Sequence, residues 1–568
     1  MSRWAASSCV TVVGCAWILV GFHDQAWWPP DEGQFAHVAD RMLDGEVLHR
    51  DIRDHHADHV HWINAGALAL FGRDLLSLRY PLVAATLGYG LGVFALLFRR
   101  GAALAVLTAL TATALAFVQF PNPTPNWYGL PLAVLAVACL DTRSRWRVFA
   151  AGLVVGALFG FRQLTAVFLG LAVLGYLLVD ARGAPGSGNG RLARGVLGVA
   201  LGALCAYLGS TTDLLGWVLY GVWPVALLAW SVRAATTPDR VAAEILVQLV
   251  AGFGLALFPM LASHAWHGSL FDWWADVIAS AREVPQLSYV SVSSYGHWLR
   301  PALDAFSIGS SPLRVANAAY WWVLLSLAAL TGGLTLRALF QRAPEGRLDL
   351  ALPYVACFYG LVSVFNQIPI YLYYSVGLSL AASVWLLAPL GKRVRVALAF
   401  GLAWVGGTAL VFHAAQPHTR TPEALVAGGR VPLAWNERLP RASLWMERDQ
   451  ERAYGDLMDQ IRARTTAEDA IWVVPNDAVV YFLADRRNPV DFWNSALGIG
   501  DAAAEAAVLE QLRGDPPALI VHARGDKSTT PALLRVLEAL RPGYGAPTRV
   551  HYYELLERRG ASSPRRGD

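Results

Sequence analysis

Two adjacent carboxylates, a run of histidines and a few isolated arginines are the places where this chain could do chemistry. Asp31 and Glu32 follow directly on Pro29-Pro30. The apolar spacing from Asp31 to Gly45 predicts a short amphipathic helix lying on a membrane surface. Its first turn is where a helix dipole favours carboxylates by about 0.3–1 kcal/mol. On local grounds the pair therefore reads as a helix start, although a carboxylate there could also take a proton from an incoming hydroxyl. Five histidines then fall between His49 and His61, with Asp51, Asp54 and Asp58 among them. Imidazole and carboxylate ligands mix readily at zinc and manganese sites. Read as a helix, only His55 and His59 stand one turn apart, so a divalent metal, the one cofactor these residues allow, is expected at that pair if anywhere. Substrate hydrogen bonding, with Asp51, His55 and His56 as its candidates, and a wet interfacial surface are the competing readings.

The chain holds only two lysines, Lys392 and Lys527. Any anionic ligand must therefore be met mainly by arginine, whose planar fork suits phosphate well. Three arginines are placed where an apolar segment meets the surface: Arg79, Arg162 followed by Gln163, and Arg300. Arg162 is the best of them, because it interrupts the apolar stretch Leu158 to Leu164, where a charge costs roughly 2.5–3.5 kcal/mol on insertion scales. Snorkelling to the interface is the alternative account.

What must position these residues is a set of membrane helices. The 568 residues are 55% hydrophobic and 15% charged, against about a quarter charged in soluble proteins. Runs long enough to cross a hydrocarbon layer of roughly 30 Å recur as far as about residue 414. They give about thirteen expected spans, starting near residues 4, 75, 102, 128, 148, 164, 195, 214, 243, 316, 350, 370 and 396. The first, with no small-residue cleavage site after it, is expected to be a retained span rather than a signal peptide. Short loops carrying Arg99-Arg100, Arg143 to Arg147, Arg182 to Arg194, Arg233 and Arg240, Arg337 to Arg347, and Lys392 to Arg395 all fall on one side of the alternation. The positive-inside rule makes that side cytoplasmic. The N-terminus is then inside, and the long loops at 22–74 and 263–315 and everything after 414 are outside, in a plasma (inner) membrane.

The stretch 415–568 reads differently. Ile471 to Pro475, Ala518 to Val521 and Val550 to Tyr553 are expected strands, with a helix near Ala478 to Leu483, which together predict a small α/β domain. The tail from Gly560 is short and polar, as disordered termini are. No phosphate loop and no glycine-rich dinucleotide motif occurs, which argues against direct use of ATP or a nucleotide sugar. A net charge of +4 gives no reason to expect nucleic acid. The five cysteines lie inside apolar segments without ligand spacing and read as packing residues. In the second long loop Asp272-Trp273-Trp274, Tyr289, Tyr295, His297 and Trp298 could stack on sugars, as could Tyr371, Tyr373 and Tyr374 beyond it. An interfacial aromatic belt is the stronger reading for all of them.

One combination in the first loop is distinctive: the Asp31-Glu32 pair just past the first span, Leu43-Asp44-Gly45, then Arg53-Asp54-His55, Phe71-Gly72 and Leu78-Arg79-Tyr80-Pro81. It resembles the GT-C superfamily of polyprenyl-phosphate-sugar-dependent glycosyltransferases, in particular the protein mannosyltransferase and aminoarabinose transferase branch. The resemblance implies a polytopic helical fold with an extracytoplasmic domain, and Asp31, with Glu32 beside it, as catalytic base. It implies a polyprenyl-phosphate-linked donor whose hexose or pentose passes with inversion to a hydroxyl of a glycan, lipid or protein acceptor. Relatives also carry a basic residue followed by Gln near Arg162-Gln163, which would bind phosphate. Where relatives of the aminoarabinose branch carry a His-Pro-Pro type element, this chain has His55-His56-Ala57-Asp58. A transporter or flippase of lipid-linked sugars is the alternative; it would want ionisable groups in mid-membrane and internal two-fold repeats, and neither stands out. A noncatalytic scaffold is the third reading.

Overall fold

The computed structural model describes residues 3–142, 144–179, 190–280, 294–341, 349–415, 421–428 and 431–560. The expectations attached to Arg143, Arg182, Tyr289, Arg342, Arg347 and the tail beyond Gly560 lie outside the described residues.

Among the described residues, nine helices are long and apolar enough to cross a membrane: Arg3–Phe22, Leu76–Arg100, Ala102–Gln119, Arg191–Thr211, Leu214–Ala234, Asp239–His267, Pro312–Gln341, Pro369–Leu390 and Lys392–His413. Four shorter apolar helices, Asn126–Asp141, Arg147–Phe161, Gln163–Val179 and Ala351–Phe365, begin where the remaining spans were expected. The chain is thus a multi-pass membrane protein built on an α-helical bundle. One close pair shows how backbone approach organises it. A Cβ on Gly152 would stand 2.4 Å from the carbonyl oxygen of Leu249, and one on Gly252 would stand 2.2 Å from that of Phe149. Without a hydrophobic drive between helices in lipid, such small-residue contacts let the Arg147–Phe161 and Asp239–His267 helices touch along their backbones.

Between the first long helix, α1 (Arg3–Phe22), and the next lie two shorter ones, α2 (Pro29–Leu43) and α3 (His59–Phe71). Proline at its first two positions starts α2, as the sequence predicts. Its surroundings differ from the expectation. Every residue from Glu32 to Asp40 is buried, because the C-terminal domain lies over the helix instead of leaving it on the membrane surface. Gly33 marks the contact: a Cβ there would fall 2.2 Å from the backbone nitrogen of Val479, so only glycine lets α2 pass this close to the Val479–Ala484 helix.

After His413 the chain forms that domain. A two-stranded pair, β1 (Ala434–Trp435) and β2 (Trp445–Met446), precedes a four-stranded sheet in the order β3-β4-β6-β5. In it β3 (Ile471–Val474) runs parallel to β4 (Leu519–Ala523), while β6 (Tyr553–Glu557) is antiparallel to both β4 and β5 (Thr548–Val550). The strand expected across Val550 to Tyr553 is instead a hairpin bend. His551 takes a left-handed conformation at φ 52°, which turns the chain between β5 and β6. One face of the sheet packs on the domain's own residues, among them Trp472, Leu512 and Val536; on the other, Trp27, Ala36, Leu48, Ile52, Leu75 and Leu78 of the segment after α1 pack in one cluster with Leu444, Leu457, Val479, Phe482 and Val521. Residues that a sequence boundary at 414 assigns to the membrane domain therefore form part of the C-terminal domain's interior.

Candidate active site

Asp31 and Glu32 are neighbours that face different surroundings. Glu32 is buried and accepts from Arg79 Nη2 at 2.7 Å and from the backbone N–H of Trp28 at 3.0 Å. Burial pushes its carboxyl above the usual range, against the pull of the Arg79 guanidinium. Arg79 Nη1 donates to the carbonyls of His23 at 2.8 Å and Gln25 at 3.3 Å, and Nη2 also donates to that of Ala26 at 2.7 Å. Arg79 is fully buried, and both of its terminal nitrogens are committed to protein acceptors. The geometry does not support the phosphate-binding role expected of it; Arg79 and Glu32 tie the end of α1 to the start of α2.

Asp31 turns the other way, into the space between α2 and the bundle. Asn122 Nδ2 donates to Asp31 Oδ2 at 3.0 Å. The amide cannot flip freely, because the indole N–H of buried Trp127 donates to Asn122 Oδ1 at 3.3 Å, and an indole can only donate. Asp31 is half-buried in accessible area but closely surrounded by protein. That burial, followed by the Glu32 charge, raises its carboxyl to about 7, against hydrogen bonds from Asn122 and Trp28 and the charge of Lys527. A carboxyl poised near neutrality is suited to general-base work.

Arg162 lies in the bundle beside Tyr371. It is the residue between two helices, Arg147–Phe161 and Gln163–Val179, in extended backbone at φ −153° and ψ 108°. The charge thus sits at a helix break and not inside a continuous span, which answers the insertion cost read from the sequence. Its Nη2 donates to the Tyr371 hydroxyl at 3.3 Å, and its guanidinium carbon lies 5.6 Å and 5.7 Å from the ring centres of Phe365 and Tyr371. Among the described residues no carboxylate forms an ion pair with it. The Tyr374 hydroxyl, hydrogen-bonded to Thr124, lies in the electrostatic field of both Asp31 and Arg162. Gln163 Nε2 donates to the carbonyls of His55 at 3.4 Å and Val277 at 3.3 Å, so it holds two outer loops in place.

His55 and His56 come to the same side of the site, with ring centres 4.0 Å apart and both in the field of Arg162. Burial, with the neighbouring His56, lowers His55 to about 3, so it is neutral at physiological pH. His56 Nδ1 lies 2.7 Å from Asp54 Oδ1, and Trp493 of the C-terminal domain donates to Asp54 Oδ2 at 2.9 Å. The i,i+4 pairing of His55 with His59 does not form. Helix α3 begins only at His59, so His55 belongs to the preceding bend, and His59 Nδ1 faces the carbonyl of Ala157 at 3.2 Å. The groups of suitable spacing for a cation are instead Asp54, His55 and His56, and separately His49, Asp58 and His264. Asp51 is spent locally: it accepts from Val47 N–H at 2.8 Å and pairs with Arg50 at 2.8 Å. Arg300 is exposed on the Tyr295–Asp304 helix, whose buried face carries Tyr295, Leu299 and Ala302, and no described contact joins it to Asp31. Asn122, Thr124 and Trp493 were missed from sequence because each acts through a contact remote in the chain; nothing in the local pattern marks them.

No protein-family model matches the chain, and no curated protein matches it. Solved structures similar to it include two of ArnT from Cupriavidus metallidurans. One is bound to undecaprenyl phosphate, with 14% sequence identity, a TM-score of 0.40, and coverage of 99% of this chain and 100% of that one. The other is in the apo state, with 14% identity, a TM-score of 0.40 and coverage of 97% of each chain.

Proposed function

We propose that the chain is a membrane glycosyltransferase that moves a sugar from a polyprenyl-phosphate donor to an acceptor hydroxyl at the extracytoplasmic face, with inversion. The observation that carries this reading is a carboxyl poised near 7 together with an arginine free of any described carboxylate, both close enough to the Tyr374 hydroxyl for their charges to act on it. Asp31 takes the acceptor's hydroxyl proton as the oxygen attacks the anomeric carbon. The bond from that carbon to the phosphate oxygen breaks, and the pair of electrons leaves with polyprenyl phosphate. Arg162 stabilises the charge that develops there; a preorganised donor in a dry site contributes far more than one in water. Neutral His55 and His56 line the site beside it as hydrogen-bonding groups for donor or acceptor. The positive-inside distribution of the short-loop arginines supports the assignment of this face as the outer one, and the loop motif around Asp31 supports the donor class.

The test is turnover of radiolabelled polyprenyl-phosphate pentoses and hexoses by membrane vesicles containing the protein and their native acceptors. Wild type should transfer label, and Asp31→Asn should lose about 10²-fold or more, the range that general-base catalysis contributes. Equal transfer by a correctly folded Asp31→Asn protein would reduce Asp31 to a helix-start residue and overturn the mechanism.

A further inference from the structure

Beneath the loop that carries His55 and His56 lies a second polar cluster that the proposed reaction does not use. His49, Asp58 and His264 are all buried, at 2%, 1% and 3% exposure, and one ligand atom from each lies within 4.8 Å of the others. His49 Nδ1 is 3.0 Å from Asp276 Oδ2, and His264 Nδ1 is 2.8 Å from Ser269 Oγ. Those bonds occupy the δ nitrogens and leave both Nε2 atoms directed at the Asp58 carboxylate: His264 Nε2 is 2.7 Å from Oδ2, and His49 Nε2 is 3.5 Å from Oδ1. His49 Nε2 and Asp58 Oδ1 have no hydrogen-bond partner although both are buried.

We propose that this cluster is a structural divalent-metal site of the zinc class, with His49 Nε2, His264 Nε2 and the Asp58 carboxylate as ligands. Three features of the local fold point the same way. Metal-ligating histidines characteristically give their other ring N–H to a carboxylate or another oxygen, which fixes tautomer and ring orientation; Asp276 and Ser269 are placed to do this. Asp58 stands at the N-cap of α3 but makes no side-chain cap bond there, although capping would contribute about 1 kcal/mol; its carboxylate turns inward instead. His49 adopts φ 67°, a left-handed conformation that costs a non-glycine residue energy and persists where its surroundings demand it. Charge balance agrees as well. Two neutral imidazoles, two carboxylates and one divalent cation sum to zero, as suits a buried group with the Trp273 ring 6.2 Å from that of His264. Borderline-soft imidazole with carboxylate suits zinc better than magnesium or calcium.

Such an ion joins the first outer loop, which supplies His49 and Asp58, to the end of the Asp239–His267 helix, which supplies His264. It therefore holds from below the segment that presents His55 and His56 to Arg162. The site is separate from Asp54, His55 and His56, and it stands whether or not the transferase reading does.

Full-length protein purified into lipid nanodiscs without chelator should contain about one zinc per chain by elemental analysis. Cobalt(II) substituted for it should give the intense visible bands of low-coordinate cobalt. His264→Ala and Asp58→Asn should each lose the metal, whereas His56→Ala should keep it. Zinc added back to chelator-treated wild type should raise the thermal midpoint and leave Asp58→Asn unmoved. Retention of full metal content by His264→Ala and Asp58→Asn, or its loss in His56→Ala with retention in the other two, would overturn the assignment. So would metal-free wild type whose midpoint does not respond to zinc. If His264→Ala does not fold, the cobalt spectrum of wild type and the isosteric Asp58→Asn decide the matter alone.

Discussion

At the scale of single residues, the site rests on two adjacent carboxylates made unlike by what they touch. Glu32 is spent on Arg79, whereas Asp31 keeps a raised pKa and a single oriented amide partner. The groups facing Asp31 are Glu32, Asn122, Trp28, Tyr374 and Lys527, and none of them is placed to return its carboxyl to the ordinary range. A base works unprotonated, so kcat for transfer should rise about tenfold per pH unit below about 7 and flatten above it; a pH–rate profile of vesicle transfer checks this. Stability should run the opposite way. The folded chain binds this proton more tightly than the unfolded one, so the contribution is favourable at low pH and is lost as pH rises through about 7. Asp31→Asn removes an ionisation that the fold disfavours. It should raise the thermal midpoint most at pH 8, less at pH 5, and hardly at all below about pH 4, where the unfolded carboxyl is protonated too, even as it lowers transfer. Arg162→Ala should lower kcat/KM by about 10²-fold, the effect of removing a preorganised donor to a developing anion. Arg162→Lys should recover only part of that, because an ammonium lacks the planar fork.

At the scale of elements, the helix α2 carries Asp31 and is itself fixed by contact with the outer domain. Gly33→Ala would drive a methyl into the Val479 backbone, against atoms 2.2 Å and 2.5 Å from its position. Backbone cannot swing aside as a side chain can. The substitution should cost about 1–3 kcal/mol, the range for overpacking, and displace Asp31 from Asn122, which thermal unfolding and transfer by the same preparation would show together. The sequence announces the existence of α2, since Pro29-Pro30 and the apolar spacing after them depend only on neighbours in the chain. Its burial was not legible: Val479 lies hundreds of residues away, and an amphipathic face packs as well on a protein as on a lipid surface. The same limit explains the histidines. Five in thirteen positions announce chemistry, but the helical spacing that favoured His55 with His59 assumed a helix where there is a bend. The partner that completes His49 and Asp58 is His264, which no local pattern connects to them. Arg162 was legible because a charge interrupting an apolar run is costly wherever the run packs. Arg79, expected at the end of a span, is held by Glu32 and by backbone carbonyls, acceptors that no sequence pattern marks.

At the scale of the whole molecule, the C-terminal domain covers the candidate site. Trp27 donates to Gln450 at 2.8 Å and Trp493 to Asp54 at 2.9 Å, so the domain holds the segment between α1 and α3 at two points. Arg441 is the central clasp. It bonds Asp40 on α2 at 2.8 Å, Asp485 at 2.8 Å and the carbonyl of Arg73 at 3.2 Å, with its guanidinium 4.1 Å from the Phe482 ring centre. Because loop and domain share one core, they should open as a single cooperative unit while the membrane helices, most of whose core lies in another cluster that Phe35 and Val60 of the loop join, stay closed. Arg441→Ala should remove about 2 kcal/mol from that unit, in the range of charge-assisted hydrogen bonds. Hydrogen exchange should then quicken together in residues 29–43 and in β3 and β4, with no change in the Pro369–Leu390 helix. Transfer should fall without loss of membrane insertion. Faster exchange confined to the C-terminal domain, with α2 as protected as before, would mean that the domain is an appendage and that the bundle alone shapes the site.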